Sequence, residues 1–227
     1  MTGMLASVNS LAEALLVLDA EVDIIDLKQP SAGALGALDI AVVKAIVAQC
    51  HGLRPISATI GDLPMQPERI VNAVTVMAKT GVDYIKIGFF PGGDPLGCIE
   101  KLAELAQEKF ALIAVLFADQ QPDFSLVSAL KQSGFKGVML DTMAKANGSL
   151  TQVMNPTDIA RFVTLAKQHQ LICGLAGSLR REDIADLLLY QPDYLGFRGA
   201  LCEQHNRVGA VAKTAVAHIK QAINSAG

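Results

Sequence analysis

Residues 22–28 read VDIIDLK, a short run in which aliphatic and charged side chains alternate at the C-terminal end. Successive side chains of a β-strand point to opposite faces, so Ile25 and Leu27 share one face while Asp26 and Lys28 share the other. The aliphatic face suits packing against a layer of helices. The charged face then points to the inside of a barrel, and the segment predicts a strand that carries functional groups at its end.

Similar aliphatic runs recur along the chain, and a segment of helical periodicity follows each one. The predicted strands are residues 4–7, 23–28, 55–60, 84–88, 111–117, 137–141, 172–175 and 194–198. The predicted helices are residues 11–19, 40–50, 67–79, 98–109, 124–132, 157–169, 181–189 and 209–224. Strands that alternate with crossover helices form a parallel sheet, so the pattern predicts an α/β fold with a single (β/α)8 TIM barrel as one catalytic domain over residues 1–227. A doubly wound open sheet is the alternative.

Composition excludes several classes of protein. The chain has 227 residues, a net charge of -3 and no tryptophan, so it offers no basic surface for nucleic acid. No apolar run approaches the roughly 18 residues that span a bilayer, and no secretion signal is visible, so we expect a cytoplasmic protein with no membrane partner. The cysteines form no CxxC pair, and no group of residues has metal-ligand spacing. We therefore assign no metal and no cofactor.

Charged residues occupy the C-terminal ends of the predicted strands, where the active site of a barrel lies. Lys86 stands between Ile85 and Ile87 in YIKIG, so its side chain points inward, as that of Lys28 does. Asp141 ends the sixth strand. Because side chains from alternate strands of a barrel meet in layers, we expect Lys28, Lys86 and Asp141 to converge.

Two lysines in one dry pocket oppose each other's protonation through repulsion and desolvation, so one of the amines is expected to be neutral near pH 7. A neutral amine can attack a carbonyl to form a Schiff base, and a cationic neighbour can transfer protons. The structural alternative is that Lys28 and Lys86 only form ion pairs with Asp26 and Asp141.

Glycine-bearing turns, LAGSLRRED and GFRGA, follow the seventh and eighth predicted strands, the usual place for a phosphate site in this fold. We therefore expect Gly177, Ser178, Arg198 and Gly199 to bind a phosphate group of a small-molecule substrate. Arg198 suits a bidentate contact, although pairing with an acid such as Asp193 is the alternative. For the glycines the alternative is an ordinary tight turn.

Six segments together resemble the (5-formylfuran-3-yl)methyl phosphate synthase family: DIIDLKQPSAGALGA, SATIGDLP, DYIKIGFF, MLDTMAK, GLAGSLR and GFRGA. They occur in order over nearly the whole chain. The resemblance implies a (β/α)8 lyase that condenses two molecules of glyceraldehyde 3-phosphate, with loss of phosphate and water, to a furan aldehyde phosphate used in making methanofuran-type one-carbon carriers. It also implies that Lys28 forms the Schiff base and Lys86 transfers protons, with Asp141 and Lys145 assisting. We expect Asp26 or Asp141 to help Lys86 in proton transfer. A solvated surface lysine is the alternative for Lys145.

The mechanism that follows begins when Lys28 captures a triose phosphate and an enamine attacks the second aldehyde, so that carbon–carbon bond formation comes first. A second phosphate site is expected in the loop that follows strand two, at Ser31, Gly33 and Gly36, with a plain turn as the alternative. Arg207, in the loop after strand eight, has no assigned role. Asp119, in the loop after strand five, is expected to be structural or to position the substrate.

Other functions fit the same residues. A Schiff-base aldolase that acts on triose or pentose phosphates would use the same lysines and turns, and a barrel without activity could bind a phosphorylated metabolite for a partner. Apolar surface on barrel helices also makes a homo-oligomer an expectation.

Overall fold

The computed structural model describes residues 1–107 and 110–226, and the strands in it form a closed parallel barrel in sequential order, β1 to β8. The strands are β1 (Gly3–Val8), β2 (Ile24–Leu27), β3 (Ile56–Thr59), β4 (Tyr84–Phe89), β5 (Ala111–Phe117), β6 (Gly137–Asp141), β7 (Ile172–Leu175) and β8 (Tyr194–Phe197). β1 pairs with both β2 and β8, and this closes the barrel. The (β/α)8 fold predicted from the sequence is confirmed, and the open doubly wound sheet is excluded.

Helices cover the outside of the barrel. They are α1 (Leu11–Asp19), α2 (Ile40–Cys50), α3 (Pro67–Ala78), α4 (Pro95–Gln107), α5 (Leu126–Gln132), α6 (Leu150–Val153), α7 (Pro156–Gln168), α8 (Ile184–Leu188) and α9 (Lys213–Ala226). The sequence did not predict the short helix α6, whose first turn begins after Ser149. The predicted helix over residues 98–109 begins earlier, at Pro95, and its last two residues lie outside the described residues.

The two faces of each strand belong to different apolar cores. Ile25, Leu27, Ile85 and Ile87 pack with residues of the helices, as the alternation in β2 and β4 predicts. A second, smaller core fills the barrel itself and includes Leu5, Ile24, Ile113, Val115, Phe117 and Met139. Because the lower part of the barrel is apolar, charged groups at its upper end lie in a poorly solvated environment.

Among the described residues, no helix combines the length and the apolar character that a bilayer crossing requires. The four cysteines are all free thiols in buried positions.

Candidate active site

A cavity of about 120 Å³ opens at the C-terminal end of the barrel. Charged side chains from strand ends and the loops that follow them line it: Asp26, Lys28, Lys86, Asp141, Lys145, Arg180, Arg198 and Arg207. We call Lys28, Lys86 and Lys145, with Asp26 and Asp141, the lysine side. We call Arg180 and Arg207 the arginine side. The convergence predicted for Lys28, Lys86 and Asp141 is therefore what the fold produces.

Lys86 is held at the base of this cavity by Asp26. Its Nζ lies 2.6 Å from Oδ1 of Asp26, and both side chains are almost fully buried. The hydroxyls of Ser7 and Ser57 also donate to the Asp26 carboxylate, at 2.7 and 2.6 Å. Burial alone would raise the pKa of Asp26, but the ammonium groups of Lys86 and Lys28 and these hydrogen bonds outweigh it and lower the pKa. Asp26 is therefore an ionised acceptor beside an amine.

Lys28 forms an ion pair with a second carboxylate, that of Asp141. Its Nζ is 3.7 Å from Oδ2 of Asp141, while the other oxygen of Asp141 accepts a short hydrogen bond from Lys145. Lys145 therefore has a structural partner in the pocket, and the solvated alternative is wrong. Although burial opposes it, the charges of Lys145 and Lys28 and a hydrogen bond from the Thr142 N–H lower the pKa of Asp141 to about 2.

Burial is the main influence on Lys28, and it lowers the pKa of the amine from 10.5 to about 8. Asp141 favours the charged form, whereas Lys145 and Lys86 oppose it. With a pKa near 8, roughly a tenth of the amine is neutral at pH 7. The sequence predicted the direction of this shift, while most of the amine is still charged at pH 7.

Protein acceptors already occupy the guanidinium of Arg198, and this argues against the expected phosphate contact. It donates to the Glu13 carboxylate, with Nη1 to Oε2 at 2.6 Å, and to the carbonyl oxygens of Ser7, Arg207 and Gly209. These contacts, with a further one to Oε1 of Glu13, use the hydrogens of all three nitrogens. The acid partner is Glu13 of α1 rather than Asp193.

The loop that follows β8 is fixed by this ion pair. Glu13 also accepts a hydrogen bond from the Val211 N–H at 3.0 Å, so the clamp of Glu13 and Arg198 holds residues on both sides of Gly209. It thereby positions Arg207, whose Nη2 donates to the carbonyl oxygen of Gly33 at 3.1 Å across the mouth of the barrel. Arg207 is half-buried, and burial lowers its pKa.

The turn after β7 reaches the cavity as predicted. Gly177 has a φ of +111°, and a Cβ there would lie 2.9 Å from the backbone nitrogen of Thr142, so the turn requires glycine. The Ser178 hydroxyl donates to the carbonyl oxygen of Lys145. Gly177, Ser178 and Gly199 all line the cavity. Their contact with a phosphate stays a prediction.

Two other expectations receive structural answers. In the loop after β2, the Asp62 carboxylate accepts the N–H groups of Ala34 and Leu35 at 2.8 and 2.7 Å. An acid already occupies this loop, which argues against the expected anion site at Ser31, Gly33 and Gly36. Asp119 accepts the N–H groups of Met143 and Ala144, both at 2.7 Å, so it supports the loop that follows β6.

A family model described as 4-HFC-P synthase matches residues 4–220. The chain belongs to this family. Among its relatives, a Methylorubrum extorquens protein provisionally named (5-formylfuran-3-yl)methyl phosphate synthase is 40% identical, over 98% of this chain and 92% of that protein. The (5-formylfuran-3-yl)methyl phosphate synthases of Archaeoglobus fulgidus and Methanosarcina mazei are 31% and 30% identical and cover 97% and 88% of this chain, or 99% and 89% of their own lengths. As a member of the 4-HFC-P synthase family, the chain is an enzyme of the synthase type.

Solved structures agree on the fold of this family member. The 3-hexulose-6-phosphate synthase of Salmonella typhimurium is 16% identical, has a TM-score of 0.72 and covers 100% of both chains. The phosphoribosyl anthranilate isomerase of Thermococcus kodakaraensis is also 16% identical, with a TM-score of 0.67 over 100% of this chain and 98% of that one. At such identities the similarity establishes the barrel and nothing about the reaction.

Sequence reasoning missed two residues of this 4-HFC-P synthase family site, Glu13 and Arg180, and it named Arg207 without a role. Glu13 interrupts the apolar stretch of α1, and its partner lies 185 residues away. Arg180 was visible only as the first of two adjacent arginines after the Gly-Ser turn that follows β7. A pair of arginines directly after a predicted phosphate turn is the one signal that could have found it.

Proposed function

We propose that the chain condenses two molecules of glyceraldehyde 3-phosphate to (5-formylfuran-3-yl)methyl phosphate through a Schiff base on Lys28, and that it acts as a carbon–oxygen lyase. The observation that carries the proposal is the buried amine of Lys28, whose pKa is lowered to about 8, in one cavity with the pair of Lys86 and Asp26. A partly neutral amine is a nucleophile for an aldehyde, and a second amine with its own carboxylate supplies proton transfer.

The charge of the cavity suits phosphorylated substrates. Besides Arg198, which Glu13 neutralises, the cavity is lined by Lys28, Lys86, Lys145, Arg180 and Arg207, against the carboxylates of Asp26 and Asp141. Cations thus outnumber carboxylates in this cavity, although the whole chain has a net charge of -3. Two triose phosphates carry about four negative charges between them, which such a cavity attracts.

The connectivity of the product constrains the order of steps. The furan carries its formyl and phosphomethyl groups on ring carbons that are separated by one other carbon. Only one division of the six carbons gives two linear three-carbon chains: the new bond joins C3 of the triose that lost its phosphate to C2 of the triose that keeps it. We therefore place phosphate loss before the carbon–carbon bond, the reverse of the order expected from the sequence.

The first half of the reaction uses both lysines. The Nζ of Lys28 adds to C1 of the first triose and water leaves, which gives an iminium ion. A base at Lys86 or Asp26 takes the proton from C2, and the electron pair expels phosphate from C3. C3 is then the terminal carbon of an enol and is nucleophilic.

The second half builds the ring. Proton transfer from C2 to C1 converts the second triose to its ketone isomer, whose C2 accepts the nucleophilic C3, and Lys86 protonates the alkoxide. The C1 hydroxyl of the second triose then closes on C2 of the first, and two waters are lost to form the furan. Hydrolysis of the Schiff base returns Lys28 and releases C1 as the formyl group. Overall, two glyceraldehyde 3-phosphates give the furan phosphate, one inorganic phosphate and two waters.

Borohydride trapping tests this proposal. Reduction in the presence of glyceraldehyde 3-phosphate is expected to add a triose-derived mass to Lys28, and the mass should be absent from Lys28→Ala but present in Lys44→Ala, which changes an exposed lysine of α2. Near-ultraviolet absorbance should report the furan aldehyde, which separates the synthase from a Schiff-base aldolase with the same adduct. An adduct only on Lys86, or furan formation by Lys28→Ala, would contradict the assignment.

A further inference from the structure

The cations of the cavity fall into two groups by their partners. Lys28, Lys86 and Lys145 each have a carboxylate oxygen within 4.0 Å, and so does Arg198. Within residues 1–107 and 110–226, neither Arg180 nor Arg207 forms such an ion pair. Two guanidinium groups without carboxylates in one cavity leave positive charge for a ligand.

Of the two arginines, Arg180 gives the stronger indication of a ligand site. Its Nη1 is buried and has no hydrogen-bond partner in the described part of the chain. A buried donor without a partner costs on the order of 1–3 kcal/mol, and more when it is charged, so proteins rarely leave one that no ligand satisfies. Its neighbour Arg181 is exposed, so the two adjacent arginines face different surroundings.

Gly199 is a neighbour of both arginines. A Cβ on Gly199 would lie 3.7 Å from Nη1 of Arg180 and 3.9 Å from Cβ of Arg207. The nearest atom to such a Cβ would be the carbonyl oxygen of His205, at 3.3 Å, so the absence of a side chain at Gly199 keeps the space beside Nη1 of Arg180 open. The backbone of Arg207 is held in place by Arg198, whose Nε donates a hydrogen bond to the Arg207 carbonyl oxygen at 2.8 Å.

We propose that Arg180 and Arg207, which line one cavity and both neighbour Gly199, form a subsite for a phosphate monoester. A phosphate placed there would accept a hydrogen bond from Nη1 of Arg180 and face the guanidinium of Arg207, and planar guanidinium groups match phosphate oxygens well. The identity of the ligand as a triose phosphate rests on the proposed function. The subsite itself rests on Arg180, Arg207 and Gly199, and it takes the role that Arg198 cannot fill.

The test uses glycerol 3-phosphate, which has no carbonyl and therefore binds without Schiff-base chemistry. Isothermal titration of the intact protein is expected to show binding of glycerol 3-phosphate and none of glycerol. Arg180→Gln should weaken that affinity by roughly tenfold or more, since charge-assisted hydrogen bonds are lost, and Arg207→Gln should weaken it as well. Arg181→Gln is the matched control and should bind as the unchanged protein does.

Further measurements distinguish a loss of the phosphate subsite from unfolding of a variant and from failure of the proposed function. Thermal melting of each variant shows whether it is folded, and Arg180→Lys, which keeps the charge, should recover part of the affinity. Binding by Arg180→Gln within about twofold of the unchanged protein, or no binding of glycerol 3-phosphate by the unchanged protein, would overturn the subsite. If Lys28 is still trapped by borohydride in that case, the proposed function stands without the subsite. If arginine-dependent binding occurs but no adduct forms, the subsite stands and the function fails.

Discussion

The lysine side and the arginine side of the cavity carry the same sign of charge in opposite settings. Lys86 lies within β4, Lys28 and Lys145 follow β2 and β6, and each faces a buried carboxylate. Arg180 and Arg207 come from loops after β7 and β8, and neither has a carboxylate partner in the described chain. Amines held by carboxylates can exchange protons, whereas guanidinium groups without carboxylates remain charged and bind anions. Under the proposed function, this difference places chemistry on the lysine side and recognition on the arginine side.

The largest expected effect comes from Lys86→Met. If the lysine side performs the chemistry, loss of this amine should lower turnover by about 10²- to 10⁴-fold, the usual contribution of a proton-transfer group. Affinity for glycerol 3-phosphate should fall far less, and borohydride should still trap triose on Lys28. Steady-state rates, titration and intact mass measure these separately, with Lys44→Met as the control. If Lys86→Met lowered the affinity for glycerol 3-phosphate as much as the turnover, chemistry and phosphate binding would not be separated between the two sides.

Glu13→Gln is expected to affect the arginine side indirectly, through the ion pair of Glu13 and Arg198 that holds the Arg207 backbone. The change leaves Arg198 as a buried charge without its carboxylate and should lower the free energy of unfolding by about 3 kcal/mol. Because Arg198 fixes the backbone of Arg207, affinity for glycerol 3-phosphate should weaken too. Urea unfolding and titration report the two effects. Asp19→Asn, which alters an exposed pair with Lys213, should change neither.

A smaller effect on stability, of opposite sign, is expected for Lys28→Met. The folded pKa of Lys28 is about 8, below the unfolded value of 10.5, so the unfolded chain binds this proton more tightly. The resulting cost to the fold is fully present below pH 8 and disappears as pH rises through 10.5, which amounts to about 3 kcal/mol at most. Lys28→Met should therefore be more stable than the unchanged protein at pH 7, and urea unfolding should show this advantage shrinking between pH 8 and 10.5. An equal advantage at every pH would contradict the lowered pKa.

The smallest expected effect is a shift in pH dependence. Trapping of triose on Lys28 requires the neutral amine, so its rate should rise with pH and level off above about 8. Asp141 favours the charged amine, and Asp141→Asn should therefore move the midpoint to lower pH. Trapping rates across pH measure this shift, and Asp186→Asn, a change at an exposed position, serves as the control. A midpoint that moves upward would show that Asp141 acts on Lys28 in some other way.

The sequence predicted what depends on local alternation. All eight predicted strands overlap the observed ones. The signals that predict them, alternation with a period of two and glycine turns, each involve only a few neighbouring residues. The inward direction of Lys28 and Lys86 followed from the same alternation, and the barrel then brought them together. These residues could be predicted because their orientation depends only on the strand that carries them.

The arginines could not be assigned in the same way. The orientations of Arg180, Arg198 and Arg207 depend on irregular backbone, in which no period tells which side chain faces the cavity. Arg198 follows a strand and was expected to bind phosphate, but Glu13 approaches it from a helix at the other end of the chain. Whether a cation is free for a ligand depends on whether an acid reaches it first, and that is a property of the tertiary structure.

The ion pair of Glu13 and Arg198 links residues 185 positions apart, so its formation must wait until β8 has been synthesised and has paired with β1. Until then the Glu13 carboxylate has no cation, and the loop that carries Arg207 has no anchor. A nascent chain that already contains Lys28 and Lys86 would therefore lack the completed mouth of the barrel. The two sides of the cavity therefore join only when the last strand closes the barrel.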